Sequence, residues 1–224
     1  MKFSLVSATL AEISPILHFL EKQAEKVSPF SYRFRGMQVQ ILITGVGLVS
    51  TTYSMTKYLQ HQSPDLMIHA GIAGALNPGL NPGEVIQISK DQFADIGIEQ
   101  ADGNWDSLFE ANLAKPDEFP FGGGLLTNPD TGGFLPAHQG LTTARTTGSN
   151  STIQRLKEKY PEADLETMES AAFFYVALQE KVKFLSIRSI SNFVEERNKD
   201  NWEMSKAVKS LNETLVEMLM ALAV

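Results

Sequence analysis

The feature that most constrains the fold of this chain is a short apolar strand that ends in glycines and runs directly into a helix. Residues 38–44 (QVQILIT) are rich in branched side chains, which favour a β-strand, and Gly45 and Gly47 interrupt it. In residues 48–59 the apolar side chains then recur at helical spacing. A second apolar strand at 65–70 is again followed by glycines. Strands that alternate with helices in this way predict an α/β fold with a mostly parallel sheet.

The remainder of the chain continues this alternation. We therefore expect a single domain over residues 1–224, built as a three-layer α/β/α sandwich around a central mixed, mostly parallel sheet. Residues 91–139 are an exception, because their prolines and glycines predict long loops with one strand near 124–127. The other predicted strands are 2–8, 84–89, 142–145 and 183–190, and the other predicted helices run from a Ser149 cap to 159, over 169–178 and over 202–222.

The composition excludes several classes of function. Lys and Arg number 19 against 26 Asp and Glu, and the resulting net charge of -7 argues against nucleic-acid binding, which needs a basic face. The absence of cysteine excludes disulfides, thiolate metal sites and a cysteine nucleophile, and it fits a cytoplasmic protein. No apolar run approaches the ~20 residues of a membrane span, so we expect no membrane association.

The two glycine segments allow three interpretations. Gly45-Val-Gly47 opens a helix as a dinucleotide site does, but Ser50 stands where that fingerprint needs a third glycine. A tight connection between strand and helix, without function, is the second interpretation. We favour the third, in which these turns and the one at Gly71-Ile-Ala-Gly74 lie at one edge of the sheet and turn backbone N–H groups toward a ligand.

Two polar segments late in the chain form the strongest candidate site. Residues 166–169 (ETME) precede a predicted helix, and Asn192 follows an apolar strand. A helix start beside a strand end is a typical ligand site in α/β proteins. Glu169 either only stabilises the helix dipole, or it binds vicinal ribose hydroxyls and stabilises a positively charged, oxocarbenium-like sugar. In the second interpretation Met168 lies flat against the base or the sugar.

Glu12 and Asn192 each have a structural and a functional interpretation. Glu12 is either a solvated acid of the first helix or the base that activates a water beside the first strand. Asn192 either forms a turn or contacts a purine. In the second role its NH2 donates to the O6 of a 6-oxopurine and its carbonyl accepts from N7–H, so an asparagine favours a hypoxanthine-type base.

The histidines and serines do not indicate other chemistry. His18, His61, His69 and His138 show no spacing typical of a metal site. The sequence also lacks the Gly-x-Ser-x-Gly motif of a serine hydrolase. We therefore expect neither a metal nor an organic cofactor.

The chain resembles, from end to end, members of the purine nucleoside phosphorylase and nucleosidase superfamily. The resemblance implies an enzyme that cleaves the bond between a purine and a ribose, works without a cofactor and forms a homodimer. The matching segments are Ser7-Ala8 with Glu12, Thr44-Gly45-Val-Gly47, His69-Ala-Gly71-Ile-Ala-Gly74, Glu166-Thr-Met-Glu169 and Ile187-Arg-Ser-Ile-Ser-Asn192.

The resemblance also assigns roles to single residues. Glu12 falls on the acid that activates water and Glu169 on the acid that binds the ribose. Asn192 departs from the adenine-releasing members, which have an aspartate there and a serine at the position of Ile72. Met168 falls on the residue packed against the nucleoside, and Gly74, Thr147 and Arg188 are expected to contact the substrate.

Three alternatives remain open at this point. They are a nucleosidase for 6-aminopurines, a phosphorylase that uses phosphate in place of water, and a nucleoside-binding protein without activity. Arg188 and Arg145 suit a phosphorylase, whereas Glu12 would repel phosphate. A substrate with an anionic 5′ substituent would need a cation, for which Arg145, Arg33 and Arg35 are the candidates.

Overall fold

The computed structural model describes residues 1–130 and 133–223. Within these residues the helices are α1 (Leu10–Gln23), α2 (Leu48–Leu59), α3 (Asn150–Lys159), α4 (Ser170–Gln179) and α5 (Met204–Leu222), and a short 3₁₀ helix spans Lys199–Asn201. The strands are β1 (Lys2–Ser7), β2 (Glu25–Ser28), β3 (Ser31–Phe34), β4 (Met37–Ile43), β5 (Leu66–Ala75), β6 (Val85–Asp91), β7 (Gly97–Glu99), β8 (Trp105–Ser107), β9 (Phe121–Gly122), β10 (Leu125–Thr127), β11 (Ala137–Thr142), β12 (Leu165–Thr167) and β13 (Phe184–Phe193).

Apart from the separate β7–β8 hairpin, these strands form one mixed sheet that closes partly on itself. Along the main path the order is β2-β3-β4-β1-β5-β12-β11-β6-β10-β9, and β13 pairs with both β5 and β6. The strands β5, β12, β11, β6 and β13 therefore make a closed ring. The predicted mixed sheet is confirmed. β1–β4, β1–β5, β13–β5, β11–β12 and β11–β6 pair parallel, whereas β12–β5, β13–β6 and both edges of the sheet pair antiparallel. The predicted three-layer sandwich is not confirmed in detail.

Two apolar cores lie on opposite faces of the central strands. Neighbouring residues of β1 divide between them: Leu5 packs in the core beneath α1 and α5, and Val6 packs in the core beneath α2 and α4. This alternation follows from the period of two in a strand. None of the helices within the described residues is long and apolar enough to cross a membrane.

Several sequence predictions need correction. The segment Gly71–Gly74 is not a turn, because β5 continues through it to Ala75. Its glycines are needed for close packing: a Cβ on Gly71 would lie 2.9 Å from Glu12 Oε1, and one on Gly74 would lie 2.9 Å from Val194. Likewise, the predicted strand at 142–145 is wrong, because β11 ends at Thr142 and the chain then turns.

The loop region 91–139 contains more structure than its composition predicted. The β7–β8 hairpin and β9 fall within it, and the predicted strand near 124–127 is confirmed as β10. Residues 131–132 of this region lie outside the described part. The prediction of helix α2 over residues 48–59 is confirmed at both ends.

Candidate active site

A cavity of about 280 Å³ opens where β1, β5 and β13 end and where α1, α4 and α5 begin. Strand ends and helix starts meet at this edge of the sheet, as the sequence predicted for a ligand site. The predicted residues Glu12, Gly74, Thr147, Met168, Glu169 and Asn192 all line it, whereas Arg188 does not.

Glu12 is fixed near the start of α1 by Ser7 at the end of β1, by the N-cap residue Thr9 and by Ile72 on β5. Its Oε2 accepts hydrogen bonds from the backbone N–H and the hydroxyl of the N-cap residue Thr9, at 3.0 and 2.9 Å. Its Oε1 accepts from the backbone N–H of Ile72 on β5 at 3.2 Å. Glu12 therefore caps its own helix, as an ordinary capping box does, and also holds a carboxylate oxygen over β5 beside the cavity.

Glu169 precedes α4 but does not cap it. Its side chain makes no bond to the amides of α4, and its Oε1 instead accepts from the backbone N–H of Gly47, the N-cap residue of α2, at 2.9 Å. Burial raises the pKa of Glu169, the Gly47 bond and the positive charge of Arg188 oppose that rise, and the nearby charge of Glu12 adds to it. The carboxylate thus faces the cavity from a position that its own helix does not require.

Arg188 lies behind the two acids rather than in the cavity. Its side chain is fully buried, and its Nη2 donates to Ser170 Oγ at 2.9 Å and lies 2.9 Å from His69 Nδ1. Gly71 lies between Arg188 and Glu12. A Cβ on Gly71 would be 3.6 Å from Arg188 Cζ and 2.9 Å from Glu12 Oε1. Burial, and then the charge of Arg188, hold the pKa of His69 well below its usual value, so this imidazole is neutral.

Asn192 lies on β13, not in a loop after it, and a bulge at Ser191 sets its direction. The register of β13 against β5 shifts between Ile190 and Asn192, and a bulge of this kind re-aims a side chain. Asn192 Nδ2 donates to the carbonyl of Phe193 at 2.8 Å, and Oδ1 accepts from Ser191 Oγ at 2.7 Å. Because a carbonyl only accepts, the Phe193 contact fixes which end of the amide is the NH2 group.

The remaining predicted residues complete one side of the cavity. Met168 is half-buried, and its sulfur accepts a 3.4 Å contact from the hydroxyl of Thr146. Thr147 is buried, and both its backbone N–H and its hydroxyl bind the carboxylate of Glu166. Glu166 also lines the cavity. Its role could not be predicted from the sequence, because an acid so close to Glu169 is typical of an ordinary helix start.

In the described part of the chain, the cation that lines the cavity is not one of the three predicted arginines. Arg33 pairs with Glu25 at 3.0 Å on the outer strands, and Arg145 lines a neighbouring polar pocket. Arg197 lines the cavity itself and lies over the ring of Trp202, 5.4 Å from its centroid. The feature of the sequence that could have indicated Arg197 is the charged segment Glu195-Glu-Arg197 shortly after Asn192.

The geometry describes a small, partly apolar cavity with a defined set of polar groups. One acid, Glu12, is fixed beside the backbone of β5, and a second, Glu169, lines the same cavity from the start of α4. An amide with a fixed orientation, Asn192, lies on β13. Two carboxylates in the wall of one cavity provide a base for a nucleophile and a counter-charge for a cationic intermediate, and this combination suits the cleavage of a glycosidic bond.

The fold and this site indicate an α/β enzyme of the class that cleaves the glycosidic bond of nucleosides. Residues 5–222 match the family model of the Phosphorylase superfamily, and the chain belongs to that family.

Similar proteins carry two different names. The chain is 26% identical to a 5′-methylthioadenosine/S-adenosylhomocysteine nucleosidase of Maridesulfovibrio salexigens, over 88% of this chain and 87% of that protein. It is also 26% identical to a futalosine hydrolase of Thermus thermophilus, over 85% and 87%. The solved S-adenosylhomocysteine nucleosidase of Streptococcus pyogenes, in complex with 5-methylthiotubericidin, has a TM-score of 0.80 at 18% identity and covers 100% and 98% of the two chains. The family match and the two sequence relatives support an enzyme that hydrolyses N-glycosyl bonds, and the solved structure supports the fold. The equal identities to the two relatives do not choose between the two substrates.

Proposed function

We propose that this chain hydrolyses the N-glycosidic bond of futalosine, releasing hypoxanthine and dehypoxanthine futalosine, a reaction of menaquinone biosynthesis. The observation that carries the proposal is the fixed amide of Asn192. With one N–H engaged by Phe193 and one lone pair by Ser191, the amide retains one donor and one acceptor for a ligand. The O6 and N7–H of a leaving hypoxanthine match that pair.

The two acids supply the chemistry in this proposal. Glu12 accepts a proton from the attacking water, and that water lies between Glu12 and the sugar. Glu169 binds the ribose hydroxyls and stabilises the positive charge that grows on the sugar as the bond breaks. Arg188 acts through Glu169, because its buried charge favours the ionised form of that acid. Met168 packs against the nucleoside.

The substituent on the 5′ carbon distinguishes futalosine from simpler nucleosides. It carries an aromatic carboxylate, which a cation stacked on an aromatic ring binds well. Arg197 over Trp202 is our candidate for this role, in place of Arg145, Arg33 and Arg35.

We also propose that the enzyme is a cytoplasmic homodimer. Val49 and Tyr53 on α2 are 83% and 65% exposed, and they lie on the helix that begins beside the cavity-lining Val46. Exposed apolar side chains next to a site favour a protein partner, and a second copy of the chain is the one that the resemblance implies.

Two other activities compete with this one. A methylthioadenosine, S-adenosylhomocysteine or aminofutalosine nucleosidase is favoured by the name of the M. salexigens relative. A phosphorylase is favoured by the family name, but Glu12 beside β5 would repel a phosphate at the place of the attacking water. A nucleoside-binding protein without activity does not need two carboxylates fixed in the wall of the cavity.

Chromatography of the released base tests the reaction class directly. The purified chain is incubated with futalosine in phosphate-free buffer and again with added phosphate. We expect free hypoxanthine and an unphosphorylated sugar product at equal rates in both. A sugar phosphate, or release that requires phosphate, would identify a phosphorylase, and no release from any nucleoside would identify a binding protein.

A further inference from the structure

Glu166 is a buried carboxylate in the wall of the cavity that the proposed reaction does not use. Its residue is only 5% exposed, yet it lines the same cavity as Asn192 and Glu169. A carboxylate is costly to bury unless its oxygens are satisfied, so its partners show what it does. Burial, with a smaller contribution from the charge of Asp95, raises the pKa of Glu166, and its hydrogen bonds oppose that rise.

The two oxygens of Glu166 are satisfied unequally. Oε1 accepts from the hydroxyl of Thr143 at 3.0 Å, from the backbone N–H of Thr147 at 3.1 Å and from the hydroxyl of Thr147. Among the residues that the structure describes, Oε2 accepts only the longer branch of the Thr147 N–H bond, at 3.3 Å. A carboxylate oxygen has about two lone pairs, so Oε2 retains the capacity to accept from a ligand.

The sheet places Glu166 and Asn192 on either side of one glycine. Gly74 on β5 pairs with Glu166 of β12 on one flank and with Asn192 of β13 on the other. Paired residues point to the same face of a sheet, and neighbouring strands lie about 4.8 Å apart, so the two Cα atoms are separated by about 10 Å. Gly74 has no side chain, so Val194 and the amide of Asn192 approach it closely, and Gly74, Glu166 and Asn192 all line the cavity.

From this arrangement we infer that Glu166 recognises the purine base. Its Oε2 accepts a hydrogen bond from the N1–H of a 6-oxopurine, and Asn192 binds the O6 and N7 edge of the same base. The inference rests on the proposed function and adds the residue that selects the base. A 6-oxopurine carries a hydrogen on N1, whereas a 6-aminopurine carries a lone pair there. A carboxylate accepts from the first and repels the second, and a buried mismatch of this kind discriminates strongly.

The substitution Glu166→Gln tests this role because its orientation is set in advance. The backbone N–H of Thr147 is an obligatory donor, so the glutamine carbonyl turns toward it and the glutamine NH2 takes the place of Oε2. The variant then offers the base a donor instead of an acceptor. We expect the ratio of kcat/KM for futalosine to that for aminofutalosine to fall roughly tenfold to a hundredfold. Glu162→Gln, which removes the same charge from an exposed site, should leave the ratio unchanged.

The wild-type protein supplies a second test that does not depend on the stability of a variant. Inhibition by hypoxanthine is compared with inhibition by 1-methylhypoxanthine, which lacks the N1–H. We expect the methylated base to bind at least tenfold more weakly, and equal inhibition would overturn the role of Glu166.

The two proposals fail in different ways. If the wild type releases hypoxanthine from futalosine but Glu166→Gln keeps the wild-type ratio, the inference about Glu166 is wrong and the proposed function stands. If the wild type prefers aminofutalosine, the proposed function itself is wrong, whatever the variant does.

Discussion

The backbone N–H of Gly47 donates a 2.9 Å hydrogen bond to Oε1 of Glu169, which lies 122 residues further along the chain. Gly47 begins α2 and Glu169 precedes α4, so the bond ties the starts of two helices together at the cavity. The partial positive charge at the start of α2 favours the ionised form of this acid. A carboxylate that only stabilised α4 would bond to the amides of α4, and Glu169 does not.

Glu169→Gln tests whether this acid supports charge on the sugar. Glutamine retains a carbonyl for the Gly47 bond but loses the negative charge. We expect kcat to fall roughly 10²–10³-fold while substrate binding weakens much less, as for one lost electrostatic contact in a transition state. Steady-state kinetics and a melting curve are the measurements. A variant with normal kcat and a lowered melting temperature would show that Glu169 is only structural.

Glu12→Gln tests the proposed base. The amide oxygen of glutamine still accepts from the backbone N–H of Thr9, so the capping of α1 is largely retained. Glutamine cannot take a proton from water at neutral pH, so we expect base release to slow roughly 10²–10⁴-fold with nearly unchanged nucleoside affinity. The affinity is measured by calorimetry with a slow substrate analogue. Full activity in a less stable protein would remove the catalytic role.

Asn192→Asp tests the choice of base. An ionised aspartate would place a second oxygen 2.8 Å from the carbonyl of Phe193, where two acceptors repel each other unless one is protonated. The protonated form can pass its proton to N7 and accept from a 6-amino group. We expect kcat/KM for futalosine to fall and the relative rate on 6-aminopurine nucleosides to rise roughly tenfold to a hundredfold. An unchanged ratio would mean that Asn192 does not select the base.

Asp91 predicts how stability depends on pH. It is fully buried, its Oδ2 has no hydrogen-bond partner among the described residues, and burial raises its pKa to about 7. An unfolded aspartate loses its proton near pH ~3.9, so between these values the native state binds more protons and stability falls as pH rises.

Asp91→Asn should remove this dependence, because asparagine does not titrate. We expect the free energy of unfolding of the wild type, relative to the variant, to fall by about 2 kcal/mol between pH 5 and pH 8. Urea titrations at both pH values measure the difference. His69 titrates in both proteins, so its opposite contribution cancels. A difference that does not change with pH would contradict the raised pKa.

The sequence predicted those parts of the site that follow local patterns. Helix α2 was predicted at both ends because its apolar spacing and the glycine before it agree. Glu12 and Asn192 could be proposed because the sequence pattern placed each beside the end of an apolar strand, and the carboxyl ends of parallel strands share an edge. Their resemblance to the family's residues added roles that spacing alone does not give.

Other parts could not be predicted from local patterns because they depend on distant contacts. Gly71 and Gly74 look like turn residues, but they are glycines because Glu12 and Val194 approach the strand closely. Arg188 looks like an anion-binding residue, but His69 and Ser170 hold it behind the site. The pairing of β13 with both β5 and β6, which closes the ring, has no signal in the sequence.

The most direct test of the central claim is the substrate preference of the wild-type enzyme. Hydrolysis of futalosine and of methylthioadenosine is measured separately in phosphate-free buffer, and the two kcat/KM values are compared. The fixed amide of Asn192 predicts that futalosine is preferred by at least tenfold. A preference for methylthioadenosine would contradict the account and would make the chain an adenine-releasing nucleosidase.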